Sequence, residues 1–331
     1  MKKTLLISLL MFASLTLASP AARSQTLATS SALTPDATTQ DKGVIIDCAD
    51  LTAMKRSSKK VSFPGSGGQT LYGWLSVPQG AGPFPAVVWN HGSGLMEGQT
   101  DQETREDALA HFYVANGYIF FTPHRTGHGM SKDAGQSTVD GEKANCVGAD
   151  AAQCKVEYHE KANLDTAAAI KWLKKQPNVD RKRIAAAGAS YGGIQTLLSA
   201  EKGHSLRAFV SFTPASMSWG NAKLRQRMLT AIENAVPPIF LIQAKGDYTT
   251  EPYELFGDAL KAKRGLNRAK LYPQFGNTEK QAHHNFAVYC EGIEIWGKDV
   301  LAFLDAAMGK AETSGPARPA SIQKARKGEQ R

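Results

Sequence analysis

The sequence predicts an α/β fold with a mostly parallel sheet covered by helices on both faces. Two observations lead there. Short apolar runs alternate with helix-length stretches along most of the chain, and neither an internal repeat nor a second core breaks that alternation. The runs Thr70–Val77, Pro85–Asn90, Tyr118–Thr122, Arg183–Gly188, Ala208–Phe212, Pro238–Ile242 and Ala269–Tyr272 read as strands. Between them, Glu103–Ala115, Val156–Lys175, Gly192–Glu201, Tyr253–Ala262 and Gly292–Met308 read as helices. The last is the clearest, with Ile293, Trp296, Val300, Phe303, Leu304 and Ala307 recurring at three- and four-residue steps. Between Phe212 and Pro237 there is room for a loop and one helix, too little for a large lid domain.

A chain of 331 residues that is 42% hydrophobic and 21% charged can bury a large core, which excludes disorder and collagen-like repeats as overall descriptions. Its only long apolar run, Leu5–Leu17, follows Lys2 and Lys3 and falls short of the roughly 20 residues of a bilayer span. Residues 1–24 are therefore expected to be a cleaved secretory signal, with small residues offering cleavage after Ala18, Ala21 or Ser24. No cysteine precedes Cys48, so a lipid-anchored cysteine is not expected. Residues 25–42, rich in Ala, Ser and Thr, read as a linker, 43–308 as one catalytic domain, and 309–331 as a disordered basic tail. The expected location is periplasmic or secreted, without integral membrane association.

The net charge of +9 sits mostly at the ends. Lys2, Lys3 and Arg23 supply three charges and residues 310–331 a surplus of four, leaving +2 over the body. A nearly neutral body argues against a groove for nucleic-acid phosphates. Four cysteines in an exported chain predict two disulfides. The favoured pairing is Cys146–Cys154, closing a short loop, with Cys48–Cys290 tying the start of the domain to its end. Their spacing is not the paired C-x-x-C of a zinc site, and no metal is expected.

Gly188-Ala189-Ser190-Tyr191-Gly192 matches G-x-S-x-G. An apolar run enters it and a helix-like stretch leaves it, the strand–turn–helix context in which a serine sits exposed on a sharp turn. A serine hydroxyl is a poor nucleophile until a base takes its proton, and the base needs an acid to fix its tautomer. Downstream of Ser190 the histidines are His204, in a polar loop, and the pair His283-His284 between the last strand and the last helix. Asp247, just past the strand ending at Ile242, is the candidate acid; Glu254 and Asp258 fall inside the next helix. His91-Gly92-Ser93-Gly94 follows the Pro85–Asn90 strand, so the backbone N–H groups of Ser93 and Tyr191 could converge on one oxygen as an oxyanion hole.

Taken together, the HGSG segment, Arg125-Thr126-Gly127-His128-Gly129-Met130-Ser131, the Asp180–Ile184 approach to GASYGG, the strand ending at Asp247 and His284-Asn285-Phe286 resemble an α/β-hydrolase of the dienelactone hydrolase family over about Lys59–Met308. The resemblance implies an eight-stranded sheet, a Ser190/Asp247/His284 triad, and no metal or cofactor. The family's histidine-x-Phe pattern selects His284 over His283. Two departures stand out: the elbow carries serine where dienelactone hydrolases proper carry cysteine, and His-Asn-Phe stands where His-Gly-Phe is usual. The expected activity is hydrolysis of small carboxylic esters, lactones and acetylated sugars among them, through an acyl-enzyme on Ser190. Two other readings stay open. Ser-Tyr-Gly-Gly also resembles the prolyl oligopeptidase group of serine peptidases, and a hydrolase-like binding protein without catalysis would use the same fold.

Two other patterns read as structure. Gly292–Lys298 has phosphate-loop spacing, but Asp299 stands where Ser or Thr is needed, so core helix is expected. Tyr113, Trp172 and Trp296 read as packing. The stretch His124–Lys155 is long for a strand-to-helix connection and leaves from the active-site edge, where it reads either as a surface excursion stabilised by Cys146–Cys154 or as a flap that this disulfide holds over the pocket.

Overall fold

Strands whose side chains are apolar on both faces can be buried only between two layers of helices. The computed structural model shows that arrangement over residues 58–93, 106–275 and 279–310. The chain divides after Asp41 into two units. The first, with the expected signal and most of the linker, lies outside the described residues, as do Cys48 and residues 311–331 of the expected tail.

The second unit holds one eight-stranded sheet: β1 (Lys59–Pro64), β2 (Thr70–Ser76), β3 (Phe84–Asn90), β4 (Ile119–Pro123), β5 (Val179–Ala189), β6 (Ala208–Phe212), β7 (Ile239–Ala244) and β8 (Arg268–Tyr272). The spatial order is β1-β2-β4-β3-β5-β6-β7-β8. Only the β1–β2 and β2–β4 pairings are antiparallel; from β4 to β8 every pairing is parallel. Strand β1 has no counterpart among the apolar runs, because exposed Lys60, Ser62 and Pro64 alternate with Val61 and Phe63. Lysines are well suited to this margin, since an edge strand must discourage pairing with other chains. The opposite margin, β8, carries Arg268 and Lys270.

The period-2 alternation of each strand divides the core into two layers. Val88, Ile184, Phe209 and Leu241 point to one face, where they meet α3 (Ala151–Leu173), α4 (Tyr191–Lys202), α5 (Ala222–Asn234) and α6 (Glu251–Lys263). Val87, Trp89, Val210 and Phe240 point to the other, against α1 (Asp107–Ala115) and α8 (Cys290–Met308). Gly292–Lys298 lies within α8 as expected, and Tyr113 and Trp296 are buried in this second layer. Helix α5 fills the space foreseen between Phe212 and Pro237. Among the described residues, no helix is long and apolar enough to cross a membrane.

The stretch His124–Lys155 is more ordered than a flap loop. It contains a 3-10 turn (Gly129–Ala134), helix α2 (Thr138–Asn145) and the start of α3. Ser137 caps α2 by accepting from the Asp140 N–H at 3.1 Å. The Cys146–Cys154 disulfide is formed and joins the end of α2 to the first turn of α3. Cys290 is also disulfide-bonded, and Cys48, its expected partner, lies outside the described residues.

Trp296 anchors α8 to the sheet. Its ring centroid lies 5.3 Å from that of Phe112 and 4.8 Å from that of Phe212, and its indole N–H donates to the Phe286 carbonyl at 3.3 Å. Trp296→Ala is expected to cost about 3–5 kcal/mol, read as a lower denaturation midpoint in urea with an unchanged slope.

Candidate active site

In a parallel sheet the loops after the carboxyl ends of the strands share one edge, and every candidate residue falls there. Strand β5 ends at Ala189, and Ser190 follows with φ 57° and ψ −119° before α4 begins at Tyr191. A non-glycine residue in that region is strained, and the surrounding contacts must hold it. The Ser190 N–H donates to the Phe212 carbonyl at 3.0 Å, and the Ser190 carbonyl accepts from Ile194 at 3.1 Å. Gly192 is required by space rather than dihedral angle: a Cβ there would lie 1.8 Å from the Asn90 carbonyl oxygen. The end of β3 is thereby pressed against the elbow. Buried Asn90 fixes the contact by donating to Thr196 Oγ1 and accepting from Thr166 Oγ1, both at 3.0 Å.

Past Asn90 the chain turns through His91 and Gly92 to Ser93. A Cβ on Gly92 would lie 4.0 Å from Ser190 Cβ, so this loop passes beside the serine. Gly94 lies outside the described residues.

Strand β7 delivers Asp247 through a turn in which Gly246 has φ 92°. Glycine is needed there for a second reason as well. A side chain would collide with the His283 ring, whose Cδ2 would be 2.4 Å away. His283 and His284 end the short helix α7 (Lys280–His284). The two histidines have different partners. His283 Nδ1 accepts from the Phe275 N–H at 3.2 Å, and its Nε2 lies 3.2 Å from Gln274 Nε2. His284 Nδ1 lies 2.9 Å from Asp247 Oδ1, while its Nε2 is buried and has no hydrogen-bond partner. Asp247 and His284 are thus brought together, and Ser190 Oγ does not bond His284 here. Serine–histidine hydrogen bonds are often long until substrate binds.

Ser216 was not singled out in the sequence. It follows β6 at the same edge, and its Oγ lies 3.0 Å from both Asp247 Oδ1 and His284 Nδ1. Its position directly after a strand that ends at the site edge was the available signal. Asp247 also accepts from the Tyr248 N–H at 2.7 Å and from Gln243 Nε2 at 2.8 Å. A buried carboxylate with this many donors is held in one orientation.

Tyr191 is fixed from the other side. Its ring stacks on His159 with centroids 4.2 Å apart, and its hydroxyl donates to Glu142 Oε1 at 3.4 Å. Burial pushes the Glu142 carboxyl up to about 7 and holds His159 down at about 3. Their 3.8 Å approach is therefore a contact with a neutral imidazole rather than an ion pair. Helix α2 is in this way linked to the residue that follows Ser190.

The family model described as acetyl xylan esterase matches residues 32–219, more than half of the chain. The chain belongs to the acetyl xylan esterase family. A second model, the prolyl oligopeptidase family, matches residues 151–311 of this acetyl xylan esterase family member, a span containing Ser190, Asp247 and His284. A polyketide transferase of Penicillium is 27% identical over 179 residues, or 54% of this chain and 52% of that protein. The chain spans about half the length of that curated relative. Among solved structures, an acylaminoacyl peptidase of Pyrococcus horikoshii matches with TM-score 0.55 and 18% identity over 78% of this chain and 43% of its own. An esterase of Pyrococcus furiosus matches with TM-score 0.54 and 20% identity over 76% and 92%. A Klebsiella pneumoniae protein named as a dienelactone hydrolase matches with TM-score 0.53 and 17% identity over 75% and 97%. At these identities the structures establish the fold. Together the matches give the acetyl xylan esterase family on an α/β-hydrolase fold, the fold that the motifs implied.

The raised Glu142 carboxyl has a consequence for stability. In the unfolded chain it ionises near 4.5, in the fold near 7, so the folded state loses stability as pH rises between those values. Glu142→Gln cannot ionise. The melting temperature of the variant relative to wild type is expected to rise between pH 5 and pH 8, measured by calorimetry in one buffer series.

Proposed function

We propose that this chain is a serine esterase that cleaves small carboxylic esters through an acyl-enzyme on Ser190. The observation that carries the reading is the Asp247–His284 pair at 2.9 Å, with the second imidazole nitrogen buried and unengaged at the edge where Ser190 sits on its strained turn. Asp247 accepts the Nδ1–H, which leaves the lone pair on Nε2. Nε2 takes the Ser190 proton as Oγ attacks the ester carbonyl, and the N–H groups of Ser93 and Tyr191 receive the developing oxyanion. The imidazolium then returns its proton to the departing alcohol. Water repeats the sequence on the acyl-enzyme and frees the acid. Nucleophile, base and charge stabilisation all come from the chain itself, so the chemistry calls for no metal ion or organic cofactor. Acetyl esters of sugars are the first substrates to try, given the family.

The Cys146–Cys154 disulfide and the signal-like residues 1–24 support an oxidising location, periplasmic or secreted. A peptidase reading keeps one specific support, the prolyl oligopeptidase match over all three candidate residues. The acid, base and nucleophile would be the same; only the leaving group differs.

Ser190→Ala is expected to lower kcat for p-nitrophenyl acetate at least about 10⁴-fold with an unchanged melting temperature. Activity within tenfold of wild type would remove Ser190 from the role. A rate on Ala-Pro amides exceeding that on acetyl esters would favour the peptidase reading. His284→Ala should match the serine variant in its loss of kcat. His283→Ala should lower the melting temperature more than the rate, since it removes a buried acceptor from the Phe275 N–H. The reverse pattern for the two histidines would make His283 the base.

A further inference from the structure

We propose that Arg125 is the positioning residue that sets the oxyanion hole, an inference that rests on the Ser190 reading above. Arg125 lies just after β4, is 3% exposed, and is not among the residues that carry the chemistry. Its guanidinium grips one short piece of backbone. Nη1 donates to the His91 carbonyl at 2.8 Å and Nη2 to the Gly92 carbonyl. The Gly92 carbonyl belongs to the same peptide group as the Ser93 N–H. Because that group is planar and trans, its N–H points away from its C=O. Pinning the oxygen toward Arg125 therefore aims the N–H in the opposite direction. A cationic donor on the oxygen also polarises the amide and makes its N–H a stronger donor. His91 adds to the same oxygen, with Nδ1 at 3.0 Å.

The guanidinium also reaches the second donor residue. Its Cζ lies 4.9 Å from the ring centroid of Tyr191, whose own N–H is the other oxyanion donor. One side chain thus bridges the two strand ends, after β3 and after β5, on which the two donors stand. Arg125 is itself held by its surroundings. Its backbone N–H donates to His91 Nε2 at 3.3 Å, and the next N–H, of Thr126, donates to Asp165 Oδ2 at 2.9 Å. Burying a guanidinium is costly, and here it donates to two neutral carbonyls, with Nε left without a partner. A lysine could satisfy the charge but could not hold two adjacent carbonyls in a fixed fork.

The test uses the full-length protein with Arg125→Lys and Arg125→Ala, p-nitrophenyl acetate as substrate, and an alkyl trifluoromethyl ketone as a mimic of the tetrahedral adduct. If Arg125 sets the hole, kcat falls about 100-fold in the alanine variant and at least tenfold in the lysine variant, while KM changes less than threefold. The inhibition constant for the ketone rises in parallel with the loss in kcat/KM, and added guanidinium ion restores part of the alanine variant's rate. A folded variant with kcat within threefold of wild type overturns the proposal. So does a fall in kcat without weaker ketone binding, which marks Arg125 as structural support only. If Arg125→Ala does not fold, the lysine variant decides on the same criteria. Fluorophosphonate labelling of the wild type, mapped by mass spectrometry, separates the two levels. Absence of label at Ser190 defeats the underlying reading, whereas label at Ser190 with unaffected Arg125 variants defeats this inference alone.

Discussion

The contact between the end of β3 and the turn after β5 is the constraint on which the rest of the site depends. Gly192 allows it, because any side chain there would overlap the Asn90 carbonyl. Once the two strand ends are pressed together, the loop after Asn90 must pass beside Ser190, and the helix N-terminus at Tyr191 must sit next to that loop. The strain at Ser190 is the local cost of this approach, and the hydrogen bonds of Asn90 to Thr166 and Thr196 hold it in place. A substitution at Gly192 would shift two strands against each other and misalign everything carried on their ends.

Much of the fold was legible in the sequence because its central strands are buried on both sides. Runs such as Phe209 to Phe212 and Ile239 to Ile242 have no polar face to hide, so they stand out whatever their neighbours. The edges were less visible. Strand β1 mixes exposed lysines with two apolar side chains and gives no such run, and helix α2, with Gly141 and few apolar residues, has almost no period to read. The candidate residues stood out for different reasons: the elbow's glycines are forced by close backbone approach, Asp247 by its place just past a strand, and His284 by the family's histidine-x-Phe pattern. Ser216 and Arg125 were not given roles for the opposite reason. Their importance lies in partners brought from 31 and 33 or more residues away in sequence, and a lone serine or arginine announces nothing about such partners.

The polar groups behind the site have a common design. Asp247 is surrounded by donors, whereas His91, His128 and His159 are kept well below the ordinary histidine range by burial and by the nearby Arg125 charge. Neutral imidazoles can accept and donate at once, and His91 does both, accepting from the Arg125 N–H at Nε2 and donating from Nδ1 to the Gly92 carbonyl. A cluster of charged histidines beside a buried guanidinium would repel itself apart. Keeping them neutral lets a single cation occupy the space between the sheet and the site.

Both margins of the open sheet bear cations, Lys59 and Lys60 on β1 and Arg268 and Lys270 on β8. A second copy approaching along β1 would have to desolvate Lys59 and Lys60 before any backbone ladder could form, whereas at β8 Lys270 is paired with Asp299 at 2.6 Å and Arg268 lies over Phe240 and Phe303. Charge on one margin and side-chain cover on the other work against edge-to-edge pairing, the route by which an open sheet grows into fibres.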